Sequence, residues 1–151
     1  MLINNTVYRL ISVQIPLFWD AIKFACVKSD EVEEKNFPVY FNELLHALLS
    51  DKAQCFVMLD KDKILHSIAI SRIITDPMLG RKELLLQCVY SMHTIEPTEL
   101  MRNLSVLVAL AKKEKCSAVS FNSRNPRVWE MAKLSGCKER NRNFAYELGG
   151  K

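Results

Sequence analysis

Two side chains close together in this sequence could move protons. Residues 83–95 read as a long strand of continuous apolar content, with Tyr90 in its body and His93 near its end. An imidazole that titrates near pH 6.5 can take the proton of an attacking amine at neutral pH, and a phenol can return one to a leaving group. Tyr90 also has a simpler reading as a core aromatic of a sheet. His46 falls inside an apolar helical pattern and His66 inside a strand, and neither has a carboxylate or cysteine neighbour in sequence, so both read as structural. Cys26, Cys55, Cys88, Cys116 and Cys137 are odd in number, widely spaced and set among apolar residues without any C-x-x-C pair. They read as reduced, buried thiols, and no metal site is expected.

The elements that must position Tyr90 and His93 follow from periodicity. Residues 6–13 read as a strand through Val7, Leu10 and Ile11. Pro16 then opens a helix whose Leu17, Phe18, Ala21, Ile22 and Ala25 recur at helical spacing. Residues 39–49 repeat Tyr40, Leu44, Leu45 and Leu48 in the same way. Residues 54–59 and 64–74 are β-branched and aromatic runs joined by Asp60-Lys61-Asp62-Lys63, a hairpin connection, and residues 76–80 form a turn before the 83–95 strand. Pro97 starts a helix with an apolar stripe at Leu100, Leu104, Leu107, Val108 and Ala111. Residues 118–121 are a short strand and residues 126–134 a short helix closed by Ser135-Gly136. Residues 138–148 read as a last strand, with Phe144 and Tyr146 on one side. The fold class is therefore α/β (α+β), one domain over residues 1–151, with a mixed central sheet of about six strands and four helices.

Composition excludes several classes. The chain is 49% apolar and 25% charged, with four glycines and five prolines, which rules out a disordered or fibrous protein. No stretch approaches the roughly 20 apolar residues of a membrane span, so a soluble cytoplasmic protein without membrane contact is expected. The net charge of +4 is modest, but residues 112–142 carry nine basic side chains against three acidic ones, while Asp30, Glu31, Glu33 and Glu34 form an acidic cluster. Arg124, Arg127, Arg140 and Arg142 lack any groove-reading motif, so nucleic acid is not an expected partner. Phe18, Trp19 and Phe37 near the two N-terminal helices suggest an apolar patch for a protein partner or a homo-oligomer.

The element order and the stretch Asn125-Pro126-Arg127-Val128-Trp129-Glu130-Met131-Ala132-Lys133-Leu134-Ser135-Gly136-Cys137 resemble the GNAT acetyltransferase superfamily, whose C-terminal pattern is Asn-x-x-Ala-x-x-Leu-Tyr-x-Lys-x-Gly-Phe. Asn125, Met131 and Gly136 fall where that pattern expects them. The resemblance implies transfer of an acetyl group from acetyl-CoA to an amine admitted where the fourth and fifth strands splay apart. It implies His93 and Tyr90 as catalytic groups, and Thr94, Ile95, Thr98 and Asn125 as the coenzyme's contacts. Two departures fall on the chemistry. Ala132 stands where many members carry the tyrosine that protonates the leaving thiolate. Thr94-Ile95-Glu96-Pro97-Thr98-Glu99 stands where they carry a glycine loop for the pyrophosphate, and Pro97 removes a donor while Glu96 and Glu99 would repel the anion. The same junction reads as a helix start stabilised by its own carboxylates. The alternative is a non-catalytic GNAT-like protein acting through protein contacts, such as a structural or assembly component of a phage virion, to which the segment from Asn125 to Gly136 is also similar.

Overall fold

A computed structural model describes residues 5–94 and 96–149. Five strands form one sheet: β1 (Thr6–Arg9), β2 (Ala53–Leu59), β3 (Leu65–Asp76), β4 (Arg81–Ser91) and β5 (Ala118–Phe121). They lie side by side in chain order, antiparallel except for the parallel pair β4 and β5. Four α-helices complete the domain: α1 (Ile15–Asp30), α2 (Phe37–Leu49), α3 (Pro97–Lys113) and α4 (Pro126–Leu134). A parallel neighbour cannot be reached by a tight turn, and α3 provides the crossover from β4 to β5.

The sheet separates two cores. On one face Ile15, Ile22, Ala25 and Cys26 of α1 and Leu44 and Leu48 of α2 pack on Cys55, Val57, Ile68, Ile70 and Cys88. On the other, Leu107 and Ala111 of α3 close over Phe56 and Leu84. Alternate residues of β2 serve opposite faces, so six successive residues of that strand are buried and its sequence reads as an apolar run without alternation.

One irregularity shapes everything downstream. In β4, Leu86 pairs with Ser71 and Cys88 with Ile70, which leaves Gln87 as an extra residue in the ladder. Strict alternation would put Leu84, Leu86, Cys88 and Tyr90 on one face. The bulge instead sends Leu84 and Leu86 toward α3 and Cys88 and Tyr90 toward α1 and α2.

Three expectations change. The first strand ends at Arg9 rather than at residue 13, because the Gln14 carboxamide accepts the Ile11 N–H at 2.9 Å and diverts it from the ladder into a turn. Leu17 lies outside the buried stripe of α1 at 80% exposure, since Ile15 takes the inward position two turns before Ile22. The sixth strand over residues 138–148 is absent, and the sheet has five strands. The chain leaves α4 toward the base of β4, where Arg140 pairs with Glu83 at 2.7 Å, and among the described residues nothing lines up beside β5 except β4. Phe18, Trp19 and Phe37 are all half-buried, and Trp19 and Phe37 meet Phe41 in an aromatic cluster between the two helices, with the Lys23 ammonium over two of its rings.

Candidate functional site

β4 and β5 part company at the middle of β4, where β5 ends. Their last pair is Leu86 with Phe121, whereas β4 stays bonded to β3 as far as Ser91. Residues 87–91 of β4 therefore have a strand on one side and a gap on the other. Before the bulge, even-numbered residues turn toward β5, as the bond from Ser117 N–H to the Lys82 carbonyl shows. After it, even-numbered residues bond β3, as Met92 N–H does to the His66 carbonyl at 2.9 Å. The backbone groups of Val89 and Ser91 thus face the gap. The Val89 N–H finds Ser29 Oγ of α1 at 3.4 Å.

The gap has two flanks. On the β5 side, the loop after Phe121 is held by Trp129, whose indole N–H donates to the Ser123 carbonyl at 2.6 Å, and Arg124 reaches across to Glu31 at the end of α1 at 3.1 Å. Asn125 caps α4, its side-chain oxygen accepting from Arg127 N–H at 3.0 Å. At the far end stands the N-terminus of α3. No side chain among the described residues caps it. Glu99 turns away from it into β1, buried against Asn5 Nδ2 at 3.2 Å, and Arg102 bonds the Asn5 carbonyl at 2.7 Å. Glu96 is exposed. The helix-capping reading of these two carboxylates is therefore corrected: neither occupies the first backbone donors of α3, which remain open to an anion.

The residues singled out from sequence divide in space. Tyr90 is half-buried on the α1 face of β4, its ring meeting Phe24 edge-on at 5.5 Å. His93 is exposed just past the end of β4, with its backbone N–H bonded to Ser91 Oγ. Thr94 and Thr98 are exposed on either side of the junction, and Ile95 lies outside the described residues. Asn125 stands across the gap, at the start of α4, where its side chain is spent on the cap.

His66 was misread in sequence. Its Nε2 lies 2.9 Å from Asp60 Oδ2, and its ring lies 4.8 Å from that of His93. Asp60 is fixed by its other oxygen, which accepts the N–H groups of Asp62 and Ile64 inside the hairpin turn. The bond from His66, aided by those two, holds the Asp60 carboxyl below the usual carboxylate range. The signal was a carboxylate six residues upstream of a histidine across a four-residue turn. His46 in turn is solvent-facing rather than internal.

Cys26 and Cys55 are unsuited to covalent chemistry. Cys26 is pushed up by its hydrogen bond with Cys88 and by burial, and burial pushes Cys55 up to about 12. Tyr40, which donates to Asp30 at 2.6 Å, is raised by burial and by that bond. Among the described residues no three His, Cys, Asp or Glu side chains converge as metal ligands, and no helix is long and apolar enough to cross a membrane. Two shallow concavities, of about 350 Å³ beside the β3–β4 turn and about 460 Å³ near the end of α2, include no residue of the gap. Unpaired strand backbone beside an open helix terminus is the stronger indication of a binding site.

No family model matches the sequence, and no curated protein matches it. Solved structures match it along nearly its whole length. A probable acetyltransferase superimposes with a TM-score of 0.72 at 11% identity, covering 97% of this chain and 99% of that one. An aminoglycoside N-acetyltransferase in complex with CoA gives 0.71 at 10% identity, covering 99% and 97%. A ribosomal-protein-alanine N-acetyltransferase from Brucella melitensis biovar Abortus 2308 gives 0.64 at 14% identity, covering 95% and 98%. At such identities the likeness is one of fold, and the fold is that of the GNAT acetyltransferases.

Proposed function

We propose that this protein binds acetyl-CoA in the gap between β4 and β5 and transfers its acetyl group to an amine. The observation that carries this is the parting of the two strands after Leu86 and Phe121, which leaves the Val89 and Ser91 backbone unpaired by any strand. An extended, amide-bearing arm can add to such an edge as a further strand would. The CoA-bound neighbour of the same fold supports the choice of ligand.

The residues present fit that arm better than its diphosphate. The open N-terminus of α3 offers the N–H groups of Thr98 and Glu99, with the Thr94 and Thr98 hydroxyls nearby, but Pro97 contributes no donor. Val89 and Tyr90 would flank the thioester of a coenzyme held along β4 from α3. The amine nitrogen attacks the thioester carbonyl carbon, the C–N bond forms, the C–S bond breaks, and the thiolate takes a proton. Tyr90 is the nearest phenol to supply it, with Ala132 unable to do so. His93 lies past the end of β4, beyond the bend at residues 92–93, so it takes the ammonium proton through intervening water. Its ring rests on His66, which Asp60 fixes.

A second reading has its own support. Ser29 already occupies the Val89 N–H and Arg124 bridges the gap to Glu31. A protein that uses this fold as a scaffold for protein contacts would keep both. Calorimetric titration with acetyl-CoA and CoA at low ionic strength separates the two. Binding at micromolar strength is expected; the absence of heat and of thermal stabilisation at millimolar ligand would leave the scaffold reading.

A further inference from the structure

We propose that His66 and His93 form a binding site for one divalent transition-metal ion, with Asp60 holding His66 in place behind it. The site does not depend on coenzyme binding. Two of the chain's three histidines meet here from separate elements. His66 lies on β3 opposite Met92, whose N–H bonds the His66 carbonyl at 2.9 Å. The chain bends at residues 92–93, just past β4, and the Ser91 hydroxyl bonds both the N–H and the carbonyl of His93. The His93 ring thus comes to rest 4.8 Å from that of His66.

The hydrogen bond behind His66 sets which of its nitrogens is free. Bonds from His66 and from the Asp62 and Ile64 N–H groups keep the Asp60 carboxyl ionised, so its oxygens can only accept. His66 Nε2, 2.9 Å from Asp60 Oδ2, therefore carries the proton it donates, and in the neutral ring Nδ1 keeps a lone pair. Metal-bound histidines are oriented in this way, by a carboxylate that takes the N–H of the other ring nitrogen. Among the described residues no hydrogen bond takes up His66 Nδ1 or either ring nitrogen of His93.

The spacing fits one ion. A ring nitrogen that ligates at about 2.1 Å puts its ring centre about 3.2 Å from the metal, so centres 4.8 Å apart subtend about 100° there, near the tetrahedral angle. The ring planes are inclined by 52°, so this is no parallel stack. Solvent reaches the pair, since His93 is exposed and the His66 side chain is 25% exposed. Two protein nitrogens leave the remaining positions to water. Imidazole ligands suit zinc, copper or nickel rather than magnesium and calcium, which take oxygen. Ligation would occupy the lone pair by which His93 takes a proton from an amine, so an ion here and that step exclude one another. That consequence alone rests on the acetyl-transfer reading.

Nickel chloride titrated into the full chain, free of any histidine tag, is the probe. Calorimetry should show one ion bound per chain, and magnesium chloride should give no heat. Nickel is paramagnetic, so substoichiometric ion should broaden the ring-proton signals of His66 and His93. Those of His46, solvent-facing on α2, should stay sharp. His93→Ala, at an exposed position, should abolish binding with the far-ultraviolet dichroism unchanged. Asp60→Asn should weaken binding by about 10–100-fold, and His46→Ala should leave it as it was. The broadening pattern of the unaltered chain decides the matter should a variant fail to fold. Absence of nickel binding, equal binding of magnesium, broadening of His46 to the same degree, or an affinity indifferent to His93→Ala or to Asp60→Asn each overturns the proposal.

Discussion

Asp60 accepts hydrogen bonds from His66 and from two backbone N–H groups, and those bonds lower its pKa from the ordinary 3.8. A depressed carboxylate stabilises the fold above its unfolded pKa, and the contribution disappears as pH falls through the folded value. Asp60→Asn should therefore unfold at lower temperature than the parent protein at pH 7, with the two melting curves converging as the solution is taken below pH 4. The pairing escaped sequence inspection because residues 60 and 66 meet only once the chain has turned back at Lys63, which adopts φ +65°. Asn103 presents the opposite case. Its Oδ1 is buried without a hydrogen-bond partner among the described residues. Asn103→Leu removes an acceptor that folding strips of water, and should stabilise the protein by about 1 kcal/mol in urea titration.

At the scale of elements, periodicity revealed most of the architecture. The limits of α4 and β5 agree with their sequence patterns, since proline and glycine punctuate the first and a charged helix end precedes the second. The bulge in β4 left no trace in composition, because Leu84 to Tyr90 is apolar on both faces and an extra residue in such a run changes no pattern. The gap beside it was legible only as something the resemblance implied. The last strand failed for a different reason: its alternation is present, but pairing depends on where Arg140 anchors the chain, which spacing cannot reveal. Since Gln87 acts through its place in the ladder, Gln87→Ala should cost within about 1 kcal/mol, whereas deleting it, which strips β4 of the bulge's bend and twist, should cost more than the alanine change. Deletion would leave Leu86 and Cys88 as neighbours opposite Ser71 and Ile70, so Cys88 and Tyr90 stay on the α1 face while the bend is lost. Urea unfolding of the pair checks this, and an equal loss in both would show that the side chain matters rather than the bulge.

For the molecule as a whole, stability is concentrated in the first three quarters of the chain, where the buried residues lie. Ending the chain after Arg142 keeps the ion pair with Glu83 and should leave the monomer's thermal midpoint within about 2–4 °C of its original value. Arg140→Ala should do more harm than that truncation, by about 1–2 kcal/mol, because it strands a carboxylate whose side chain is 11% exposed. Differential scanning calorimetry of the two variants gives the ranking. The strand order carries a further consequence in time. β2, β3 and β4 form a meander whose two connections are tight turns, so their ladders close over short loops. β5 can join only after α3 has crossed the sheet. During synthesis β4 therefore emerges and pairs with β3 while its other edge has no neighbour at all, and the late arrival of β5 covers only the first half. The cleft is what remains of an edge that the nascent chain never finishes closing.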